Sequence, residues 1–390
     1  MLTQPTLLAV YLACLLGGIL WASGVPRLAP FFRYTPAVLY AYFLPAIGTG
    51  LGLTPAQSPA YDWMVRYLLP ASLMLLMVTV DVRAILRLGG RALVMMLAGS
   101  LGIIVGGPVA LLLFGRWLPD DTWMGLAALS GSWIGGTANM VAIKESVGTP
   151  DALMGPIIVV DTVVAYTWLG VLLALSAWQE RFDRWVGADT RVMAGVNRRL
   201  AGRDADRAPA SQRDLAVMIA IGLGGAALAI LAGDRLPTLG DPTIVSHTTW
   251  TVALVTALGL ALSFTGLRRV ERAGGAELGY LALYLMVTAI GAQADLAKVV
   301  EVPLYLAVGA VWLLIHVAIL FGAAILTRSP LFFVATGSMA NVGGAVSAPV
   351  VASVYHKALA PVGVLMGVAG YVVGIYGSLV CAWLLAKVGG

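Results

Sequence analysis

Charge is what this chain has least of. Only 11% of its 390 residues are Asp, Glu, Lys or Arg, against roughly 25% in soluble domains, and the mean hydropathy is +0.91. A soluble globular fold is excluded. Cysteine is nearly absent. Cys14 and Cys381 both sit in apolar stretches, leave no disulfide framework or metal spacing, and read as small packing residues. There is no HExxH, no GxxxxGKS and no convincing serine/histidine/aspartate set, so nothing points to an enzyme or a bound cofactor. Short alternating strands are lacking too. The apolar stretches run to about 20 residues, the length of a spanning helix rather than a barrel strand. The net charge of +5 reads as loop arginines facing a cytoplasm, not as a nucleic-acid surface. The first apolar stretch has no basic residue ahead of it and no small-residue cleavage site, which makes it a retained helix rather than a signal peptide.

What is there is glycine, in two matched places. Gly131 to Gly148 reads GSWIGGTANMVAIKESVG, and Gly337 to His356 reads GSMANVGGAVSAPVVASVYH. Each is weakly polar and holds a Gly-Gly pair after a β-branched residue: Gly135-Gly136 after Ile134, Gly343-Gly344 after Val342. Such a pair breaks a helix and lets backbone approach a ligand. One break per half of a membrane protein is the sequence pointer to a transporter's binding site. The competing reading is that these glycines only let helices pack closely; the matched pair favours a site.

Apolar stretches run from about Thr6 to Gly24, from about Thr35 to Leu53, up to about Val80, up to about Phe114, and from Asp151 to Trp178. Residues 179–213 form the long polar stretch, with Arg181, Arg184, Arg191, Arg198, Arg199, Arg203, Arg207 and Arg213. This is a cytoplasmic linker between residues 1–178 and 214–390. The second part repeats the plan, with spans near Leu215–Ala232, Trp250–Gly266, Gly279–Gly291, Leu304–Leu326 and Pro361–Lys387. Leu76-Met77-Val78-Thr79 recurs as Leu285-Met286-Val287-Thr288.

If each glycine-centred segment crossed the membrane, Arg27, Arg33, Arg83, Arg87 and Arg91 would lie outside, against the positive-inside bias. The half-helices 123–134 and 137–147 are also each roughly 16–20 Å long, short of a ~30 Å core. Re-entrant hairpins at about 122–148 and 331–357 resolve both problems. They put Arg268, Arg269, Arg272, Arg328, His356 and Lys357 inside, Asp120, Asp121 and the Asp295–Glu301 loop outside, and both termini outside. The expected fold is an all-α polytopic membrane protein of two inverted repeats, each with five transmembrane helices plus one re-entrant hairpin.

The run from Ala340 to Gly374, together with GGTANMVAIKESVG, resembles the bacterial membrane family catalogued as domain of unknown function 819. More distantly the layout is similar to the sodium/glutamate and 2-hydroxycarboxylate symporters. That resemblance implies an elevator-type transporter in a bacterial cytoplasmic membrane: a homodimer with a scaffold and a moving core, carrying a small polar or anionic organic solute with Na⁺ or H⁺. No anion-clamping arginine stands in either hairpin, which tells against a dicarboxylate.

Ser132, Gly135, Gly136, Thr137 and Asn139 in the first hairpin, and Asn341, Gly343, Gly344 and Ser347 in the second, are the expected solute site. Their oxygens suit hard cations and hydrogen-bonded solutes; the rival role is capping half-helix ends. Asp161 lies about ten residues into a span, and an intramembrane carboxylate is a functional hypothesis by default. Cation or proton coupling is expected at Asn139, Asp161, Ser338 and His316, with Na⁺ at Asn139, Asp161 and Asn341. Against this, Asp161 has a rival but less favoured reading as a buried carboxyl bonded to a neighbouring hydroxyl, and His316 reads equally as a core histidine bonded to a carbonyl. Gln293 and Asp295 are weaker candidates. Lys144 and Glu145 read as a solvated hairpin end, although Glu145 could face the cavity. The alternatives to symport are a cation/proton antiporter and a non-transporting membrane sensor or scaffold.

Overall fold

The computed structural model describes residues 2–28, 32, 37–86, 89–188, 210–239, 245–293, 302–356 and 359–389. Arg33, Arg87, the linker arginines from Arg191 to Arg207, Asp295 and Lys357 lie outside the described residues. The chain is helical, with no named strand among the described residues. The first half runs α1 (Pro5–Ser23), α2 (Ala37–Gly50), α3 (Pro59–Val78), the short α4 (Val82–Leu86), α5 (Gly90–Phe114), α6 (Thr122–Gly135), α7 (Thr137–Val147) and α8 (Asp151–Leu175). A short α9 (Gln179–Val186) follows. The second half runs α10 (Gln212–Gly233), α11 (His247–Ser263), α12 (Gly275–Ala292), α13 (Val302–Thr327), α14 (Leu331–Val342), α15 (Gly344–Tyr355) and α16 (Ala360–Gly389).

Seven described helices are long and apolar enough to cross a membrane: α1, α5, α8 with α9, α10, α12, α13 and α16. The count rises to eight if α11 and the 3-10 helix Gly266–Ala273, bent by 96°, form one span. The two stretches read as the second and third spans form α2 and α3, which fall short of that measure. The described part of α2 has 14 residues, and α3 carries Asp62 and Arg66 in its first turns.

The helices sort into two bundles. In one, α3 packs on α10, α11 and α12, while α2 packs on α12 and α1. In the other, α5 packs on α13, and α16 packs on α5, α6 and α15. Contact between the bundles runs mainly through α11, against α7 and α16. Without a hydrophobic driving force between helices in lipid, close approach must come from small residues. On α5 these are Gly99, Gly102, Gly106 and Gly107. A Cβ at Gly102 would lie 2.8 Å from the Cα of His316, and one at Gly107 would lie 2.7 Å from the Trp312 ring. Trp312 lies in that groove and donates to the Ile103 carbonyl (2.8 Å).

The glycine-centred segments are pairs of short helices, as the sequence predicts. The arms α6 and α7 pack together and break at Gly136; α14 and α15 break at Gly343-Gly344. Gly136 has φ +78° and ψ −179°, a region that only glycine occupies without strain of about 1–3 kcal/mol. Both breaks rest on α16, whose glycines recur every three or four residues. A Cβ at Gly363 would lie 2.6 Å from the Ala348 carbonyl carbon, one at Gly367 would lie 2.8 Å from that of Gly344, and one at Gly374 would lie 2.8 Å from the Gly135 Cα. A Cβ at Gly370 would fall on the Ile134 carbonyl oxygen. Every residue of α14 is buried, while Gly343 at the break itself is half-buried.

Each hairpin is anchored at its open end. Thr149 Oγ1 donates to the Met124 carbonyl (3.0 Å) and closes the first. At the second, Pro330 offers α14 no side-chain cap. Asp183 of α9, itself buried, accepts from the Leu331 amide instead (2.8 Å).

Gly370→Val should lower the detergent melting temperature sharply, because overpacking costs about 1–3 kcal/mol or more. Gly17→Ala, with nothing within 4 Å of its Cβ position, should leave it unchanged. Asp183→Ala should cost about 1 kcal/mol, the usual worth of a helix cap, and Asp183→Asn, which keeps an acceptor oxygen, should cost less. Thermal melts of the four variants check this; equal melts for Gly370→Val and Gly17→Ala would refute the packing role of α16.

Candidate functional site

A cavity of about 210 Å³ opens between the two bundles. One wall is α2 and α12, with Tyr42 and Tyr284. The other is α8 with Asp161, Thr162 and Tyr166, together with both hairpin breaks. From the first hairpin come Ser132, Gly136 and Thr137; from the second come Gly343 and Ser347. Thus the site collects one break from each half of the sequence. The remaining lining is apolar, including Met140, Met154 and Met339.

Among the described lining residues Asp161 is the one charged side chain. Its Oδ2 accepts from Ser132 Oγ (2.9 Å). Asp161 is thus bonded to a hydroxyl and also lines a cavity. Tyr42 is fully buried, and its hydroxyl has no hydrogen-bond partner. Such an orphan is uncommon and asks for a ligand or water. The first turn of α7 opens on the same cavity. Its N-cap Gly136 supplies no side-chain bond, which leaves the Thr137 and Ala138 amides without a side-chain cap, while the Asn139 amide donates to the Gly136 carbonyl (3.0 Å).

The other expected residues sit outside the cavity lining. Gly135 and Asn139 face α16. Asn139 Nδ2 donates to the Tyr371 carbonyl (3.3 Å), while its buried Oδ1 has no partner. Gly344 is the positive-φ residue of the second break (φ +66°). Asn341 is buried against α5. Its amide is best oriented with nitrogen donating to the Met96 and Gly337 carbonyls (3.0 and 3.1 Å) and oxygen accepting from Ser100 Oγ (2.9 Å). His316 bridges the Gly99 carbonyl at Nδ1 and Ser338 Oγ at Nε2, each at 2.9 Å. Trp168 Nε1 also reaches Ser338 Oγ (2.8 Å). The tautomer that satisfies this set has the proton on Nδ1. The sodium trio Asn139, Asp161 and Asn341 is not gathered at one point of the cavity.

Sequence reasoning missed Tyr42, Tyr284 and Thr162, and assigned Tyr166 no role in the site. Only the nearness of Thr162 and Tyr166 to Asp161 could have flagged any of them; an intramembrane tyrosine has no periodic signature of its own.

Lys144 is a correction. It is 5% exposed, not solvated, and its Nζ pairs with Glu145 Oε1 (2.6 Å) and Asp151 Oδ1 (2.7 Å). A buried ammonium needs that company. Lys144, Glu145 and Asp151 line a second cavity of about 390 Å³ with Asp62, Arg66 and Gln293. Beside it, α11 grips the first hairpin: Ser246 Oγ and Thr249 Oγ1 both donate to the Ser146 carbonyl, at 2.8 and 3.0 Å.

The chain is 28% identical over 383 residues to an uncharacterized membrane protein of Bacillus subtilis (strain 168), YjcL, covering 93% of this chain and 94% of the relative. It matches the family described as proteins of unknown function, DUF819, over residues 10–388. The two-hairpin membrane architecture therefore belongs to a member of the DUF819 family.

Proposed function

We propose that the protein is a secondary active transporter rather than an enzyme. It couples a small organic solute to Na⁺ or H⁺ and moves by sliding the hairpin-bearing bundle against the other. The observation that carries this is the cavity itself: it lies between the two bundles and is lined by both hairpin breaks and an acidic side chain. A rigid-body shift of one bundle would expose that cavity to either side in turn.

Several contacts support inverted halves. The helix α8 has 25 residues, about 37 Å at 1.5 Å per residue, enough to cross a bilayer. At its start, Asp151 meets Lys144 at the open end of the first hairpin. Beyond its end, Asp183 caps the open end of the second. The hairpins then enter from opposite faces. Arg268 pairs with Asp81 (2.7 Å), which joins two loops on the cytoplasmic side in this topology; Arg66 pairs with Asp234 (3.0 Å), and the same count of spans puts both of those outside. In this reading the linker is cytoplasmic, both termini are outside, and the working unit is a homodimer in the bacterial inner membrane. A cation/proton antiporter using Asp161 is the second reading, favoured by the lone carboxylate on the cavity.

Ser347→Cys, placed in a Cys14→Ser background, tests alternating access without knowledge of the solute. A membrane-impermeant maleimide should label it in both right-side-out and inside-out vesicles. Adding Ser146→Cys and Ser246→Cys and joining them with a short thiol cross-linker should confine labelling at position 347 to one side. Labelling from one side only before cross-linking would contradict the transport cycle and favour a static sensor or scaffold.

A further inference from the structure

The chemistry of the main cavity selects among solutes. We propose that the solute carries a protonated amino group on a small, partly apolar body, and that Asp161 is its counter-ion. This rests on the transporter reading and names the substrate class of the same site.

The charge argument comes first. Asp161 is the one charged group on the described lining, and no lysine, arginine or histidine joins it. A solute with net negative charge would meet a carboxylate and find no cationic side chain, whereas burying a charge requires an opposite partner. The species that balances Asp161 is positive.

The hydrogen-bond argument comes second. An ammonium group has three donors to place. The Asp161 carboxylate accepts from Ser132 and lies beside the Trp133 indole N–H, and with about four acceptor sites in all it keeps capacity for an ammonium. Thr137 and Ser347 add hydroxyls on the same lining. The rings of Tyr166 and Tyr284 also line the cavity. Tyrosine faces attract organic cations within about 6 Å.

The shape argument separates an organic cation from a bare metal ion. A hard metal cation is held in a tight shell of oxygen atoms, six to eight for calcium. This cavity is about 210 Å³ and is walled largely by methionine, valine and isoleucine. Those walls suit carbon, in the usual pattern of a mostly apolar pocket with a few placed polar groups. The uncapped first turn of α7 stands at the same cavity. It would receive a carboxylate if the solute is a zwitterion, since helix N-termini favour anions. The amino group is common to simple amines and amino acids, and the test separates the two.

The experiment is a thermal melt of the purified full chain in detergent at constant ionic strength. The probes are butylamine and putrescine as simple amines, alanine and leucine as zwitterions, and butyrate and isobutyramide as amine-free matches. An amine-bearing probe should raise the melting temperature saturably, by roughly 5 °C at a hundredfold excess over its Kd. The amine-free probes should not, and Asp161→Asn should abolish the response. A response to leucine but not butylamine identifies a zwitterion; the reverse identifies a simple cation. Wild-type protein supplies a second reading: the same probe should slow modification of Asp161 by dicyclohexylcarbodiimide, followed by peptide mass. Stabilisation by butyrate or isobutyramide alone, an amine response retained in Asp161→Asn, or an unprotected Asp161 would overturn the proposal. No response to any probe would also overturn it, while two-sided labelling of Ser347→Cys would still uphold transport.

Discussion

The structure depends on supporting two breaks in helical backbone that are half-buried and line a cavity, Gly136 at one and Gly343 at the other. A broken helix exposes amides and carbonyls that cost several kcal/mol each in hydrocarbon. This chain meets the constraint by laying both breaks on one helix. The glycines of α16 bring its backbone against Ala345 and Ala348 of one hairpin and against Gly135 of the other. Tyr371, on the same helix, accepts the Asn139 amide through its carbonyl and takes a hydrogen bond from Tyr280 of the opposite bundle (2.7 Å). The glycine stripe of α5 does the corresponding work for α13, and Asn341 and His316 fasten α14 to that pair.

Charge is handled in two opposite ways. At the open end of the first hairpin, Lys144 is enclosed by Glu145 and Asp151, so the buried ammonium is more than matched within the protein. At the cavity, Asp161 has neutral donors beside it, the Ser132 hydroxyl and the Trp133 indole, and no cation on the described lining. One buried charge is thus paired within the protein, while the other lines a cavity without a cationic partner on the described lining.

The positions of the elements were legible because glycine and apolar length are local signals. The half-helices expected at 123–134 and 137–147 are Thr122–Gly135 and Thr137–Val147, and the Gly-Gly pairs mark both breaks. Face was not legible. Asn139, Asn341, Ser338 and His316 have the polarity of site residues and lie at hairpin or mid-span depth, yet they point into helix contacts. A buried asparagine that ties two helices and one that holds a ligand have the same sequence signature. The hydrophobic period is of no help when a helix is apolar all round. Tyr42 and Tyr284 were missed for the converse reason: they come from the other bundle, and only the packing of α2 and α12 carries them to the cavity.

The bundle contact clarifies what a sliding motion would have to break. Ser246 and Thr249 form a capping box on α11, each oxygen accepting the other residue's amide (3.1 and 2.9 Å). Their hydroxyl protons are left over, and both go to the Ser146 carbonyl. The cap survives if the first hairpin moves away, because the accepting roles stay within α11. At this contact two hydroxyl donations are lost, each worth about 1 kcal/mol net and replaceable by water; the same motion breaks the Tyr280–Tyr371 (2.7 Å) and Tyr376–Ala253 (3.3 Å) hydrogen bonds, also hydroxyl donations. A small, polar, self-sufficient contact of this kind lets one bundle shift without unravelling the other, whereas the glycine-locked contacts within each bundle would cost far more to open.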